Sequence, residues 1–298
     1  MRSYQGVVLF VDMLGFSALT RGGLKLTAAE LIPWNVDPDG DFPNQILATK
    51  IIIAFRQVLA KTKKRYGQIK VAQLSDCAFL WSSDAALVAK AGKYLLREAA
   101  SIGLLCRGGL AYGDIHEPDK LNHSLGAFVV GDAVTRAAIS ESMGKGMRVF
   151  TDSDTAAYFS ANCPQDSFKE LENPLTGEIV DEWQWYALSR SDLEGGRSTL
   201  ETALLNLATW HATLRYSPRL AWSATSSEGS RQISCSIAAI SDHMNDLSGG
   251  RPDLKFTVEG LMQTSMDRSH ETVAKISRQF AGELVAVVRP RHAPRKKT

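Results

Sequence analysis

The sequence predicts an α+β fold, with helices covering a mostly antiparallel sheet and a mainly helical C-terminal extension behind it. Three observations carry this expectation. Val7, Val8, Leu9, Phe10 and Val11 form a short β-branched and aromatic run suited to a buried central strand. Residues 69–81, IKVAQLSDCAFLW, read as a hairpin turning at Ser75-Asp76. The stretches between and after these have helical spacing, so the order up to residue 112 is β-α-β-β-α-β.

Asp12 ends the first strand. A carboxylate in that position is costly to bury unless a cation lies against it. Met13, Leu14, Gly15 and Phe16 then turn tightly into a helix that Ser17 can open. Such a turn can aim backbone N–H groups at an anion, and the acid can hold a divalent cation through hard oxygens. A strand that simply ends in a solvated aspartate is the competing reading. Residues 24–44 carry Pro33, Pro38, Pro43 and the turn former Asp37-Pro-Asp-Gly-Asp41, and predict a loop or lid. Residues 45–64 predict a helix whose end collects Lys61, Lys63, Lys64 and Arg65, where cations suit the helix dipole.

Asp76 sits at the hairpin tip. With the first strand central and the hairpin beside it, Asp12 and Asp76 emerge at the same end of neighbouring strands. Asp84 is placed to cap a helix that runs to about Ile102. Residues 104–112 predict a strand whose Gly108-Gly109 marks a bulge or a close approach. Gly113-Asp114 follows, then a polar loop through His116 and His123. Phe128, Val129 and Val130 lead through Gly131 into an alanine-rich helix. Residues 147–150 predict a strand, Asp152 caps a helix through Phe159, and residues 183–188, WQWYAL, predict a last strand. Beyond Asp192 the pattern gives helices over 200–216 and 233–247, a break at Gly249-Gly250 and Pro252, a strand over 255–262 and a long helix over 269–288. The basic, proline-containing tail 289–298 reads as disordered.

Composition excludes several classes. Hydrophobic residues make up 44% and charged residues 22% of the 298, which is globular rather than disordered. A net charge of +2 gives no case for nucleic-acid binding. The four cysteines (Cys77, Cys106, Cys163, Cys235) have no CxxC spacing, and read as reduced thiols of a cytoplasmic protein. No apolar run approaches membrane-spanning length, and the early strand leaves no room for a signal peptide, so no membrane partner is expected.

Four stretches in this order, FVDMLGFSALT, QLSDCAFLW, CRGGLAYGD and VVGDAVTRAA, resemble the catalytic domain of the class III nucleotidyl cyclases over roughly residues 4–190. The resemblance implies a ferredoxin-like βαββαβ core within a catalytic domain of residues 1–190, an extension over 191–288 and a tail over 289–298. It implies that Asp12 and Asp76 ligate two divalent cations, Mg²⁺ or Mn²⁺, with the Met13 carbonyl as a further ligand. The backbone N–H groups of Leu14, Gly15 and Phe16 would cradle the β- and γ-phosphates of a nucleoside triphosphate. The family works as head-to-tail dimers with the sites at the subunit interface, so a homodimer is implied.

The departures from the family pattern also carry information. Its two purine-reading positions fall on Ala72 and Phe128, which offer no hydrogen bond to a purine edge. Its transition-state asparagine and arginine fall on Thr135 and Ile139. Arg136 shares a helix face with Ile139 and can supply the missing charge, and Arg107 is the other candidate. The competing reading pairs Arg136 with Glu141 or Asp132 on the surface. Ser75-Asp76 in place of a glycine-aspartate tip, together with the lost purine readers, resembles the pyrimidine cyclases of bacterial Pycsar anti-phage defence. That implies UTP as substrate and cyclic UMP as product, sensed by a separate effector, with Lys50 or Arg97 as possible donors to the base. CTP, a purine substrate and a non-catalytic nucleotide sensor follow as alternatives.

Overall fold

The structure, a computed structural model, describes residues 1–22, 24–119, 127–172, 177–250 and 270–292. The strands are β1 (Arg2–Met13), β2 (Lys70–Leu74), β3 (Cys77–Ser82), β4 (Cys106–Glu117), β5 (Val149–Thr151), β6 (Phe168–Glu172) and β7 (Ile179–Trp183). They form one sheet in the order β2-β3-β1-β4-β5-β7-β6, antiparallel except where β5 runs parallel to β4. The first four strands therefore have the ferredoxin-like order, with β1 central.

Alternation along β1 explains the layering. Val7, Leu9, Val11 and Met13 enter the large core, together with α3 (Pro43–Arg65) and α4 (Ala85–Ser101). Val8 enters a small second cluster on the other face with Trp81, Ala111 and two alanines of α5 (Asp132–Glu141), and Phe10 packs at its edge. Gly109 lets α5 lie close to the sheet, because a Cβ there would clash with the Ala137 carbonyl. Asp12, two positions beyond Phe10, projects onto this second face. Asp84 and Asp152 act as expected caps: their carboxylates accept from the N–H of Leu87 and of Thr155, the latter in α6 (Ser153–Asn162).

Several expectations are corrected. The span 24–44 is not one loop: α1 (Phe16–Thr20) is followed by α2 (Ala28–Leu31), whose Thr27-to-Glu30 capping box was there to be read, and by a 3₁₀ turn, Ile32–Trp34. β4 continues through His116 to Glu117 because β1 extends back to Arg2 and pairs with it along the whole length. His116 is a strand residue whose Nδ1 meets Ser3 Oγ at 2.8 Å, while His123 lies outside the described residues. The strand expected over 183–188 instead ends at Trp183: β7 lies before it, paired with β6, which has few apolar residues and went unread, and residues 184–188 are turn and irregular chain.

The extension comprises α7 (Arg190–Leu193), α8 (Arg197–Tyr216), a 3₁₀ helix Pro218–Ala224, α9 (Ser227–Ser248) and α10 (His270–His292). Helix α9 starts six residues before the expected 233, at Ser227, and Gly249 closes it with φ 71°. Helix α10 carries the chain into the tail as far as His292, and the strand expected over 255–262 lies outside the described residues. The large core continues without a break from the sheet into Leu204, Leu207, Trp222, Ile237 and Leu284.

Candidate active site

Asp12 stands opposite Cys77 on β3 and Arg107 on β4, so the three side chains form one row across the sheet. Asp76 occupies the two-residue turn between Leu74 and Cys77, and its carbonyl accepts from the Met13 N–H at 3.1 Å. The two acids therefore belong to adjacent strand ends. Ser75 takes the left-handed conformation (φ 55°) that this tight hairpin demands.

Charge is crowded here. Burial pushes the Asp12 carboxyl up to about 6, and the charges of Glu141 and Asp76 add to the rise against the pull of Arg107. The Cys77 thiol is pushed up to about 11 by burial, then by Asp12, Asp76 and Glu141. Arg107 is the counter-ion, with Nη2 3.6 Å from Asp12 Oδ2 and Nε against Glu141 Oε1. Glu141 is itself buried, and burial raises its pKa despite Arg107 and Lys145. Sequence reasoning offered Glu141 only as a surface partner of Arg136. The signal for its burial was periodic, since Ala133, Ala137 and Glu141 are spaced four apart on the stripe of α5 that faces the sheet.

Excess negative charge on hard oxygens suits a divalent cation, and the Asp12–Asp76 end of the sheet fits such an ion in its donor chemistry. Among the described residues no group of three or more His, Cys, Asp or Glu side chains is arranged to hold a metal. The protein would thus supply two carboxylates and backbone oxygen, leaving further positions to substrate and water.

The turn after Asp12 is narrower in its offer than expected. The Leu14 N–H donates to the Leu105 carbonyl at 2.8 Å and is not available to a phosphate. Gly15, at φ 82°, caps α1, and among the described residues neither a side chain nor a backbone carbonyl accepts from the Gly15 and Phe16 N–H groups. Beneath the turn the Trp222 ring, from the extension, lies 3.1 Å from where a Cβ on Gly15 would stand.

Arg136 is fully engaged within the chain. Its Nε and Nη2 bind Asp152, and its Nη1 donates to the Tyr112 carbonyl at 3.0 Å and to Asp132 at 3.1 Å. Tyr112 is five residues beyond Arg107 on β4, about 17 Å along the strand. The reading that paired Arg136 with Asp132 describes part of this arrangement. Thr135 and Ile139 are solvent-facing on α5, and Thr135 Oγ1 donates weakly back to the Gly131 carbonyl at 3.4 Å.

The two positions in place of purine readers come out on the Asp12 side of the sheet. Ala72 packs at the edge of the second cluster, as do Ala127 and Val129. Phe128 is half exposed and lines a groove of about 730 Å³ with Lys70, Trp81 and Glu117. Burial alone would raise the Glu117 pKa, but hydrogen bonds from Lys70 and Trp81 hold it below the usual carboxylate range. Lys70 and Glu117 are polar groups at this groove that the sequence reading passed over. Lys50 and Arg97, offered as base donors, are on α3 and α4, across the sheet from Asp12. Lys50 Nζ donates to the Asn35 carbonyl at 2.6 Å.

No protein-family model matches the chain, and no curated protein matches it. Among solved structures it is similar to a guanylyl cyclase domain of the RhoGC fusion protein from the aquatic fungus Blastocladiella emersonii, at 14% identity and TM-score 0.41, covering 61% of this chain and 97% of that one. It is similar to the guanylyl cyclase Cya2 at 15% identity and TM-score 0.43, covering 63% and 98%. It is also similar to the adenylyl cyclase CyaB from P. aeruginosa at 13% identity and TM-score 0.39, covering 61% and 95%.

Proposed function

We propose that this chain is a metal-dependent nucleotidyl cyclase of the class III type that converts UTP to 3′,5′-cyclic UMP and pyrophosphate. The observation that carries the reading is the meeting of Asp12 and Asp76 on adjacent strand ends, in a setting where burial first, and then the charges of Glu141 and Asp76, push Asp12 up to about 6. The ordered set of four motifs supports it.

In the reaction, the ribose 3′-oxygen bonds to the α-phosphorus while the bond to the bridging oxygen of pyrophosphate breaks. The 3′-hydroxyl proton leaves to solvent. Two divalent cations held by Asp12, Asp76 and the Met13 carbonyl would acidify that hydroxyl and neutralise the departing pyrophosphate. The chain's own residues do the rest. The Gly15 and Phe16 N–H groups orient the polyphosphate. Arg107, already beside Asp12, offers the guanidinium that Arg136 cannot, because Asp152, Asp132 and Tyr112 hold the latter. Ala72 and Phe128 favour a smaller base by removing purine hydrogen-bond partners and narrowing the space.

A homodimer belongs to this reading. Phe128, Val130 and Ile139 are exposed apolar side chains on the Asp12 side of the sheet, where a second copy would complete the site. The product would serve as a second messenger for a separate effector in anti-phage defence of the Pycsar kind.

The test is incubation of the purified protein with each of the four ribonucleoside triphosphates and Mn²⁺. Cyclic UMP is the expected product. Cyclic CMP would move the substrate within the pyrimidine class, and ATP or GTP turnover would overturn the pyrimidine reading. A second reading, a non-catalytic nucleotide sensor, is favoured by the engagement of Arg136 and by Thr135 and Ile139 at the family's transition-state positions. It predicts nucleotide binding with no cyclic product.

A further inference from the structure

A cavity of about 350 Å³ lies at the seam between the α4 side of the sheet domain and the start of the extension, away from the Asp12 end. Its wall includes Arg97, Tyr186, Asp192, Thr199, Asn206 and Trp210. Arg97 is the unusual member. Its guanidinium stacks over the Trp210 ring, 4.9 Å from the centroid, and its buried Nε has no hydrogen-bond partner. Among the described residues it makes no ion pair. Only the Nε is buried and unpaired, while Arg97 as a whole is partly exposed in the cavity wall, so its Nη groups are left for the oxyanion of a ligand.

The other charge at the cavity does not fill the gap. Asp192 is near enough to support the Arg97 charge, which burial weakens, but its Oδ2 is engaged by the Ser189 N–H at 2.8 Å and the Ser189 hydroxyl at 2.6 Å. The remaining lining is suited to a small polar molecule with a flat part. Ser198, Thr199 and Asn206 offer hydroxyl and amide groups, while Trp210 and Tyr186 offer ring surface. The volume lies at the lower end of the range for small-molecule sites.

The geometry points to a binding site for a small organic anion, a carboxylate or a phosphate monoester, whose oxyanion pairs with Arg97 in a two-pronged contact and whose body rests against Trp210. The site is separate from the Asp12 end and does not depend on the cyclase reading. Because it joins α4 to α7 and α8, its ligand would tie the extension to the sheet domain.

The test is isothermal titration calorimetry of the full-length protein, in EDTA to keep divalent cations out, with inorganic phosphate and with benzoate as separate probes. The expected result is saturable binding of at least one probe with Kd of about 1 mM or tighter. Arg97→Gln should weaken it by about tenfold or more, since a charge-assisted pair is lost. Ala203→Leu, which fills the cavity and leaves the arginine in place, should do the same, and it decides the matter if Arg97→Gln fails to fold. Binding of phosphate alone assigns a bare phosphoryl group, and binding of benzoate alone assigns a carboxylate on a ring; either supports the site. A Kd weaker than about 1 mM for both probes overturns it, as does wild-type binding by Ala203→Leu.

Discussion

Asp12 illustrates how one residue's environment sets its chemistry. It is half shielded from water, faces two other acids and has one arginine beside it. Removing its charge relieves repulsion in the apo protein, so Asp12→Asn should leave the melting temperature unchanged or raised. The same change should lower cyclase turnover about 100-fold or more, because it removes a cation ligand, and Asp76→Asn should match it in activity. A mutant of either kind with near wild-type turnover would end the metal assignment. Ser75, one position earlier, holds φ 55° without being glycine. Ser75→Gly should therefore stabilise the hairpin by about 0.5–1 kcal/mol in urea titrations, the size of relief expected for a left-handed position.

Elements are held in register here by polar clamps as well as by apolar packing. Arg136 ties α5 to β4 and to the cap of α6. Across the molecule, the Leu188 N–H donates to His243 Nε2 on α9 at 3.1 Å, which requires an unprotonated nitrogen. Burial lowers the His243 pKa to about 4, against a slight lift from Asp246. The unfolded chain takes up this proton near 6.5, so the stability that the neutral ring contributes is complete above that pH. It is lost as pH falls from about 6.5 through about 4, a change of about 3 kcal/mol in full. Chemical denaturation at pH 7.5 and pH 5 should show the drop, and His243→Gln should make it shallower. An equal drop in the mutant would remove His243 from the explanation.

At the scale of the whole molecule, the extension is part of the same core rather than an appendage. Trp222 is fully buried and meets the Gly15 turn, Trp34 Nε1 donates to the Arg219 carbonyl at 3.1 Å, and Thr225 donates to Glu30 at 3.0 Å. Trp222→Ala should cost about 3–5 kcal/mol and lower the single unfolding transition as a whole, as scanning calorimetry can show. Two separate transitions would mean the extension folds on its own.

Strand identity, hairpin register and helix caps were legible because they rest on local rules. The β-branched run at Val7, the two-residue turn at Ser75-Asp76 and the caps at Asp84 and Asp152 need only their neighbours. β6 was not legible, since FKELE has little apolar content and becomes a strand only through pairing with β7. The same division runs through the candidate site. The sequence by itself determined that each acid would stand at a strand end, because alternation and turn length are set within a dozen residues, and the β-α-β-β-α-β order then put the two ends side by side. Only the tertiary structure decided that Glu141 joins them, that Leu14 gives its N–H to Leu105, that Arg136 is held by Asp152, and that Arg97 lies across the sheet beside Trp210. Each of these is a contact between residues far apart in the chain or a matter of which face a helix presents, and long-range partners are chosen by packing, which no local pattern encodes.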